Sequence, residues 1–379
     1  MSQPSDPGRV ALVLATSTGG VGQHVRSLAE QLVARGWQVA VLGPAATEDL
    51  FGFASTGAAF APLEIAGGLD PVADARAARR LAGLVRGADV VHAHGLRAGL
   101  VGAAALGRLS GRLSGRSGRP PAYVVTWHNA VLGDGPKRRV YGWLERLVAR
   151  AADITLGASG DLVERVRSLG GPDARLGPVS APPLDPPTRT RDEVRAELGA
   201  ADRPLLLCVG RLHPQKGYPV LLDAARSWAA RDPAPLVAVA GSGPSEAALA
   251  ARIDAERLPV RLLGRRPDVP DLLAAADAVV LPSAWEARAL VAQEALRAGV
   301  PLVATRVGGI PELVGDAALL VPYGDAAALA AAVGRVLDDP AVGPELIARG
   351  RRQAASWPDD AGTADAVAAV YADARAGLR

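Results

Sequence analysis

Short apolar runs alternate along this chain with longer amphipathic stretches. An apolar run at 9–15 leads into a glycine-containing turn at 16–22 and a helical pattern reaching Arg35, which Gly36 closes. Residues 38–43 make a second apolar run. Others lie at 59–65, 89–92, 123–126, 154–156 and 175–179, most of them separated by helical stretches. Strands alternating with helices predict a parallel sheet covered on both faces, because each parallel pairing needs a crossover and the crossover helices bury the sheet. Residues 180–190 (SAPPLDPPTRT) then carry four prolines, which oppose a continuing helix or a central strand. The rhythm restarts at 205–209, with strands predicted at 236–240, 260–263, 278–281, 302–304 and 319–321 and helices after Asp325.

The pattern predicts an α/β protein of two doubly wound domains. They are expected at 1–182 and 204–356, with a linker at 183–203 and a helix at 357–379 that crosses back to the first domain. Such sheets bind ligands beyond the carboxyl ends of their strands, so the site is expected in a cleft where those ends face each other.

Composition narrows the class. The chain has 379 residues, enough for two cores, and 49% of them are hydrophobic. A net charge of +3 without aromatic-interleaved basic clusters argues against nucleic-acid binding. The single cysteine, Cys208, excludes an internal disulfide and reads as a buried thiol within LLLCVG. No signal-peptide core opens the sequence, and no run approaches the ~18 apolar residues of a membrane span, so a cytoplasmic protein is expected. One segment, 106–118 (LGRLSGRLSGRSG), is an imperfect repeat that would align Arg108, Arg112 and Arg116 on one helical face. Two readings stand: peripheral contact with anionic lipid on the inner membrane face through 97–119, or a solvated loop weakened by its glycines.

The chemistry is concentrated in the second half. A diphosphate can be held by a metal, by fixed cations or by helix N-termini. No Asp-x-Asp occurs, and the pairs Asp338–Asp339 and Asp359–Asp360 stand beside prolines where they suit helix caps, so no metal or other cofactor is expected. Fixed cations follow the strand 205–209 in Gly210-Arg211-Leu212-His213-Pro214-Gln215-Lys216-Gly217. Glu286 and Glu294 follow the strand 278–281, eight residues apart. On one helix that spacing would turn both carboxylates toward the same side. In the first half, His92 and His94 share one side of a strand, either as a metal pair or in a hydrogen-bonded structural role.

Taken in order, these features resemble the GT-B glycosyltransferases of family 4, which carry a Glu-x7-Glu motif. The resemblance runs along nearly the whole chain and is densest from Leu205 to Val321. Its further marks are Gly210-Arg211 with Lys216-Gly217, Ala240-Gly241-Ser242-Gly243-Pro244 and Val307-Gly308-Gly309-Ile310-Pro311-Glu312-Leu313. The resemblance implies two Rossmann-like domains and a retaining, metal-independent transfer of sugar from a nucleotide-diphosphate sugar (UDP- or GDP-sugar) to an acceptor hydroxyl, with lipid, small-molecule and glycan acceptors all left open. It implies that Arg211 and Lys216 bind the donor diphosphate, that Glu294 binds the ribose, and that Glu286 and His128 face the donor sugar. Gly241 and Gly243 would form the nucleotide-side loop, and the backbone at Gly264-Arg265 would meet the base. Gly19 and Gly20 would close over the diphosphate, using close backbone approach and positive φ.

The chain departs from the family after the first glutamate. Where Glu-x-Phe-Gly-Leu is common, it reads Glu286-Ala287-Arg288-Ala289-Leu290, which removes a glycine where backbone amides at Ala289 and Leu290 would meet sugar hydroxyls and adds a cation. A non-catalytic nucleotide-sugar binder and a nucleotide-sugar 2-epimerase share the same architecture. A dinucleotide dehydrogenase would need a Gly-x-Gly-x-x-Gly after the first strand, which is missing.

Overall fold

The computed structural model describes residues 7–109, 120–131, 135–177, 179–180 and 184–377, apart from the side chain of Lys137. The chain divides into two compact units, one of residues Met1–Pro182 with Pro358–Arg379 and one of Pro183–Trp357.

The first unit holds strands β1 (Arg9–Leu14), β2 (Gln38–Gly43), β3 (Ala59–Pro62), β4 (Val90–His94), β5 (Ala122–Trp127), β6 (Ile154–Gly157) and β7 (Ala174–Leu176). They form one parallel sheet in the order β3-β2-β1-β4-β5-β6-β7. The order reverses direction between β1 and β4, so the helices after these neighbouring strands leave on opposite faces and open a crevice at their carboxyl ends. Leu12, Val13 and Leu14 are fully buried in β1, as a central strand covered on both faces requires. β4 was expected to stop at His92. It continues to His94, because both imidazoles are buried and hydrogen-bonded, which removes the cost of polar rings inside a sheet.

The helix Asp360–Gly377 belongs to the first unit. Val367, Val370, Tyr371 and Ala374 bury against its core, and the Tyr371 ring meets Trp37 edge-on at 5.4 Å. Asp359 caps this helix through Gly362 N–H at 2.7 Å, and Asp339 receives Ala341 N–H at 2.9 Å.

The second unit holds β8 (Leu205–Val209), β9 (Leu236–Ala240), β10 (Val260–Leu262), β11 (Ala278–Leu281), β12 (Leu302–Thr305) and β13 (Ala318–Val321), ordered β10-β9-β8-β11-β12-β13 and parallel throughout. Here the reversal falls between β8 and β11. Cys208 is buried in β8, and burial pushes its thiol pKa up. The expected linker 183–203 contains a helix of this unit, Arg191–Leu198. Thr190 and Glu193 cap it reciprocally, Val194 and Leu198 enter the core, and Arg195 reaches Asp277 at 3.0 Å.

Candidate active site

The reversal point of the second sheet places the loops after β8 and β11 side by side. The loop after β8 turns through a short 3-10 segment, Pro214–Lys216, which ends at Gly217 in the left-handed region (φ +67°). A Cβ at Gly217 would stand 1.9 Å from the carbonyl oxygen of Pro282, so only glycine lets the two loops touch. Ala284 N–H donates to Gln215 O at 2.7 Å, and Gln215 Nε2 donates to Trp285 O at 2.9 Å. This stapling delivers Lys216 to Glu286: Nζ lies 2.6 Å from Oε1, and Ser283 Oγ donates to the same oxygen at 2.6 Å. The Glu286 side chain is only 9% exposed and that of Lys216 is 23% exposed, so water screens the pair weakly.

Glu286 does not stand on the helix with Glu294. The helix is Leu290–Ala298 with Ala289 as its N-cap, and residues 282–289 form a turn before it. The helical-spacing argument for the two carboxylates therefore fails, although both are near the end of β11. The missing glycine is tolerated, since Ala289 has φ −64° and the positive φ is taken by Gly308 opposite (φ +48°). A Cβ at Gly308 would meet Glu286 O at 2.1 Å, and Gly309 N–H donates to that oxygen at 2.9 Å. The Val307-Gly308-Gly309 mark thus clamps the Glu286 turn. No side chain caps the Leu290 helix, which begins beside this turn.

Glu294 is largely buried. Burial raises its pKa, the Arg297 charge opposes that rise, and its carboxylate takes no hydrogen bond among the described residues. A desolvated carboxylate without partners suits a pair of ligand hydroxyls. Arg211 is exposed on the loop after β8 and also has no partner among the described residues. Arg265 is exposed one residue after Gly264, whose carbonyl receives Gly241 N–H at 2.7 Å.

Gly241 and Gly243 have a steric role that the residue types alone do not reveal. A Cβ at Gly241 (φ +147°) would lie 2.0 Å from Gly210 O, and one at Gly243 would lie 2.5 Å from Leu212 O. They let the loop after β9 lie directly on the Arg211 loop. Arg288 packs over the Trp357 ring at 5.9 Å, and burial lowers its pKa. A hollow of about 640 Å³ in this unit contains none of the expected residues, and Arg191 and Arg195 on its wall are paired with Asp277.

In the first unit, Gly19 and Gly20 precede and open the helix Gly20–Ala34. Neither has the positive φ expected of them, and a Cβ at Gly19 would meet nothing within 4 Å. Glycine at 19 therefore provides open space, not a special backbone conformation. His128 follows β5, buried, with Nε2 3.2 Å from His94 Nδ1. His24, one turn into the helix Gly20–Ala34, stands edge-on to both rings and has no counterpart among the expected residues. A polar residue on the buried face beside Val25 and Leu28 was the available signal. His92 bonds Tyr371 Oη through Nδ1 and Thr126 Oγ1 through Nε2, both at 2.7 Å, which leaves no nitrogen for a metal pair with His94.

Within 97–119, Arg97 is buried against Asp74 at 2.5 Å, and Arg108 forks onto both Asp153 oxygens at 2.6 and 2.8 Å. Neither offers its charge to a lipid surface. Arg112 and Arg116 lie outside the described residues. No helix among the described residues is long and apolar enough to cross a membrane.

Comparison with known proteins shows the family and the fold. The family described as "Glycosyl transferase 4-like domain" matches residues 19–182, and "Glycosyl transferases group 1" matches residues 190–355. A glycogen synthase of Mycobacterium tuberculosis is 30% identical across 95% of this chain and 92% of its own. A D-inositol 3-phosphate glycosyltransferase of Geodermatophilus obscurus is 36% identical across 75% of this chain and 66% of its own. Among solved structures, Anabaena Alr3699/HepE in complex with UDP-glucose shares the fold with a TM-score of 0.79 at 19% identity, covering 97% of this chain and 100% of that one. The sucrose-phosphate synthase of Thermosynechococcus elongatus does so at 0.78 and 22%, covering 98% and 100%. The chain is a glycosyltransferase of the GT-B fold and belongs to family 4, the glycosyl transferases group 1.

Proposed function

We propose that this glycosyltransferase moves a sugar from a nucleoside diphosphate sugar to an acceptor hydroxyl, with retention of anomeric configuration and without a metal. The observation that carries the reading is the Lys216–Glu286 pair at the reversal point of the second sheet, with Arg211 unpaired among the described residues on the same loop. As the glycosidic C–O bond breaks, the departing diphosphate gains negative charge. Fixed cations stabilise that charge most where they are already held in place, because no reorganisation is needed at the moment of reaction. Arg211 supplies a fork for phosphate oxygens and Lys216 a point charge. The N–H groups at the start of the Leu290 helix, which no side chain caps, add a partial positive charge.

Glu294 accepts the ribose hydroxyls. Glu286, with Oε1 already engaged by Lys216 and Ser283, positions the donor sugar and does not attack it. The acceptor oxygen bonds to the anomeric carbon on the face from which the phosphate departs, and its proton passes to a phosphate oxygen. By resemblance to the family, His128 and Gly19 are the first unit's candidates for donor contact. The solved Anabaena relative in complex with UDP-glucose favours a uridine nucleotide as donor.

The test is release of nucleoside diphosphate from a panel of UDP- and GDP-sugars in EDTA, with the anomeric proton coupling of the product read by NMR. Retention without added metal is the expected result. An inverted product, or turnover only with a divalent cation, contradicts the reading. Tight donor binding without turnover assigns the chain a binding role instead.

A further inference from the structure

The reversal point of the first sheet gathers three histidines from separate elements. His24 comes from the helix after β1, His94 ends β4, and His128 follows β5. One ring nitrogen from each lies within 4.8 Å of the others. The His94 and His128 rings stack with centroids 5.4 Å apart, and His24 stands edge-on at 5.6 and 5.4 Å. We propose that His24, His94 and His128 form a binding site for one borderline divalent cation of the Zn²⁺ class, and that occupation of the site inhibits the transferase.

Three observations converge on this assignment. The donor set is all nitrogen, which suits Zn²⁺, Co²⁺, Ni²⁺ or Cu²⁺ and not the oxygen-seeking Mg²⁺ or Ca²⁺. With metal–nitrogen distances of about 2.0–2.1 Å, two ligands of a tetrahedral ion lie roughly 3.4 Å apart. His94 Nδ1 and His128 Nε2 are already 3.2 Å apart, and one nitrogen from each of the three rings lies within 4.8 Å of the others. Finally, His94 Nε2 is buried without a partner. The ring proton can move to Nε2 when Nδ1 gives its lone pair to the ion, so the ligands need lose no proton.

The surroundings favour a cation ligand over a charged histidine. Burial holds the His24 pKa down at about 4, against a weaker pull upward from Asp360, and holds His94 and His128 well below the usual range. All three rings are therefore neutral at pH 7, the form that binds metal. A cavity of about 30 Å³ adjoins His24, with Thr363 Oγ1 buried and unpartnered on its wall, and has room for a water beside that ring.

Binding takes up the His128 nitrogen that now pairs with His94 Nδ1 and pins the first turn of the helix that follows Gly19. This inhibitory part rests on the function proposed above, whereas binding itself does not.

The experiment uses the full chain stripped with EDTA and titrated with Co²⁺ and Zn²⁺. Visible bands of tetrahedral Co²⁺ and about one retained equivalent of metal per chain are expected. His24→Ala and His94→Ala should each weaken binding at least tenfold, while His213→Ala, outside the cluster, should not change it. Zn²⁺ should suppress turnover, and EDTA should restore it. Absence of the Co²⁺ bands in the unaltered chain, or equal retention by well-folded His24→Ala, overturns the site. Binding with undiminished turnover overturns the inhibitory role alone.

Discussion

Lys216 Nζ lies 2.6 Å from Glu286 Oε1, joining the loops after β8 and β11 at the point where the second sheet reverses its order. Ser283 holds the same oxygen from the other side. Lys216→Met leaves a buried carboxylate with a single donor and is expected to cost about 1–3 kcal/mol. Glu286→Gln keeps the shape, loses the charge and is expected to be milder. Urea unfolding of both variants alongside turnover measures this. The account expects both to lose turnover by at least about 100-fold, as for removal of a positioned charge in an active site.

Gly217 and Gly19 predict opposite outcomes for the same substitution. Gly217→Ala places a methyl 1.9 Å from Pro282 O at φ +67° and should separate the stapled loops, lowering both Tm and donor affinity. Gly19→Ala meets nothing within 4 Å and should leave Tm nearly unchanged. A loss of turnover in Gly19→Ala at unchanged Tm would locate ligand in that open space.

Glu294→Gln separates binding from folding. Burial raises the Glu294 pKa, so ionisation at pH 7 opposes folding, and the amide should leave stability equal or higher. Loss of one charged acceptor for the ribose diol should weaken nucleotide binding by about tenfold, or 1.4 kcal/mol. Calorimetric titration with the nucleotide, together with a melting curve, reads both quantities.

The histidine cluster sets an acid limit on the first unit. Burial is the leading cause that holds the pKa of His24 down at about 4 and that of His92 at about 3. The unfolded chain therefore binds more protons than the folded one below the ordinary value near 6.5. The stability contributed by these neutral rings is complete above about pH 6.5 and is lost as pH falls toward 4 and then 3. Melting curves from pH 7.5 to 4 should show a falling Tm, with a shallower slope in His24→Asn.

Much of this architecture was legible because its strands are short, apolar and buried on both faces, as in Leu205–Val209. The mismatches have physical causes. The apolar run at 89–92 ends at His92, although His92 and His94 share one side of a strand, and the paired imidazoles extend the buried strand to His94. Arg191–Leu198 was obscured by the prolines before it, although Thr190 and Glu193 carry a capping box three residues apart. The Glu286 turn follows from contact with Gly308 twenty-two residues later in the chain, which local spacing cannot encode. His24 went unrecognised because its partners come from β4 and β5, which only the sheet brings to it.

The central claim is that fixed cations in the second unit hold a nucleoside diphosphate without metal. Its most direct test is the thermal shift produced by UDP, GDP and ADP in EDTA. The unaltered chain is compared with Arg211→Ala, which removes an exposed side chain without a partner among the described residues, and with Arg211→Ala combined with Lys216→Ala. One nucleotide should raise the Tm of the unaltered chain, by an amount equivalent to about 2.7 kcal/mol at a hundredfold excess over Kd, less so for the single variant and hardly at all for the double one. No shift with any nucleotide at millimolar concentration, or an equal shift in all three proteins, would contradict the account.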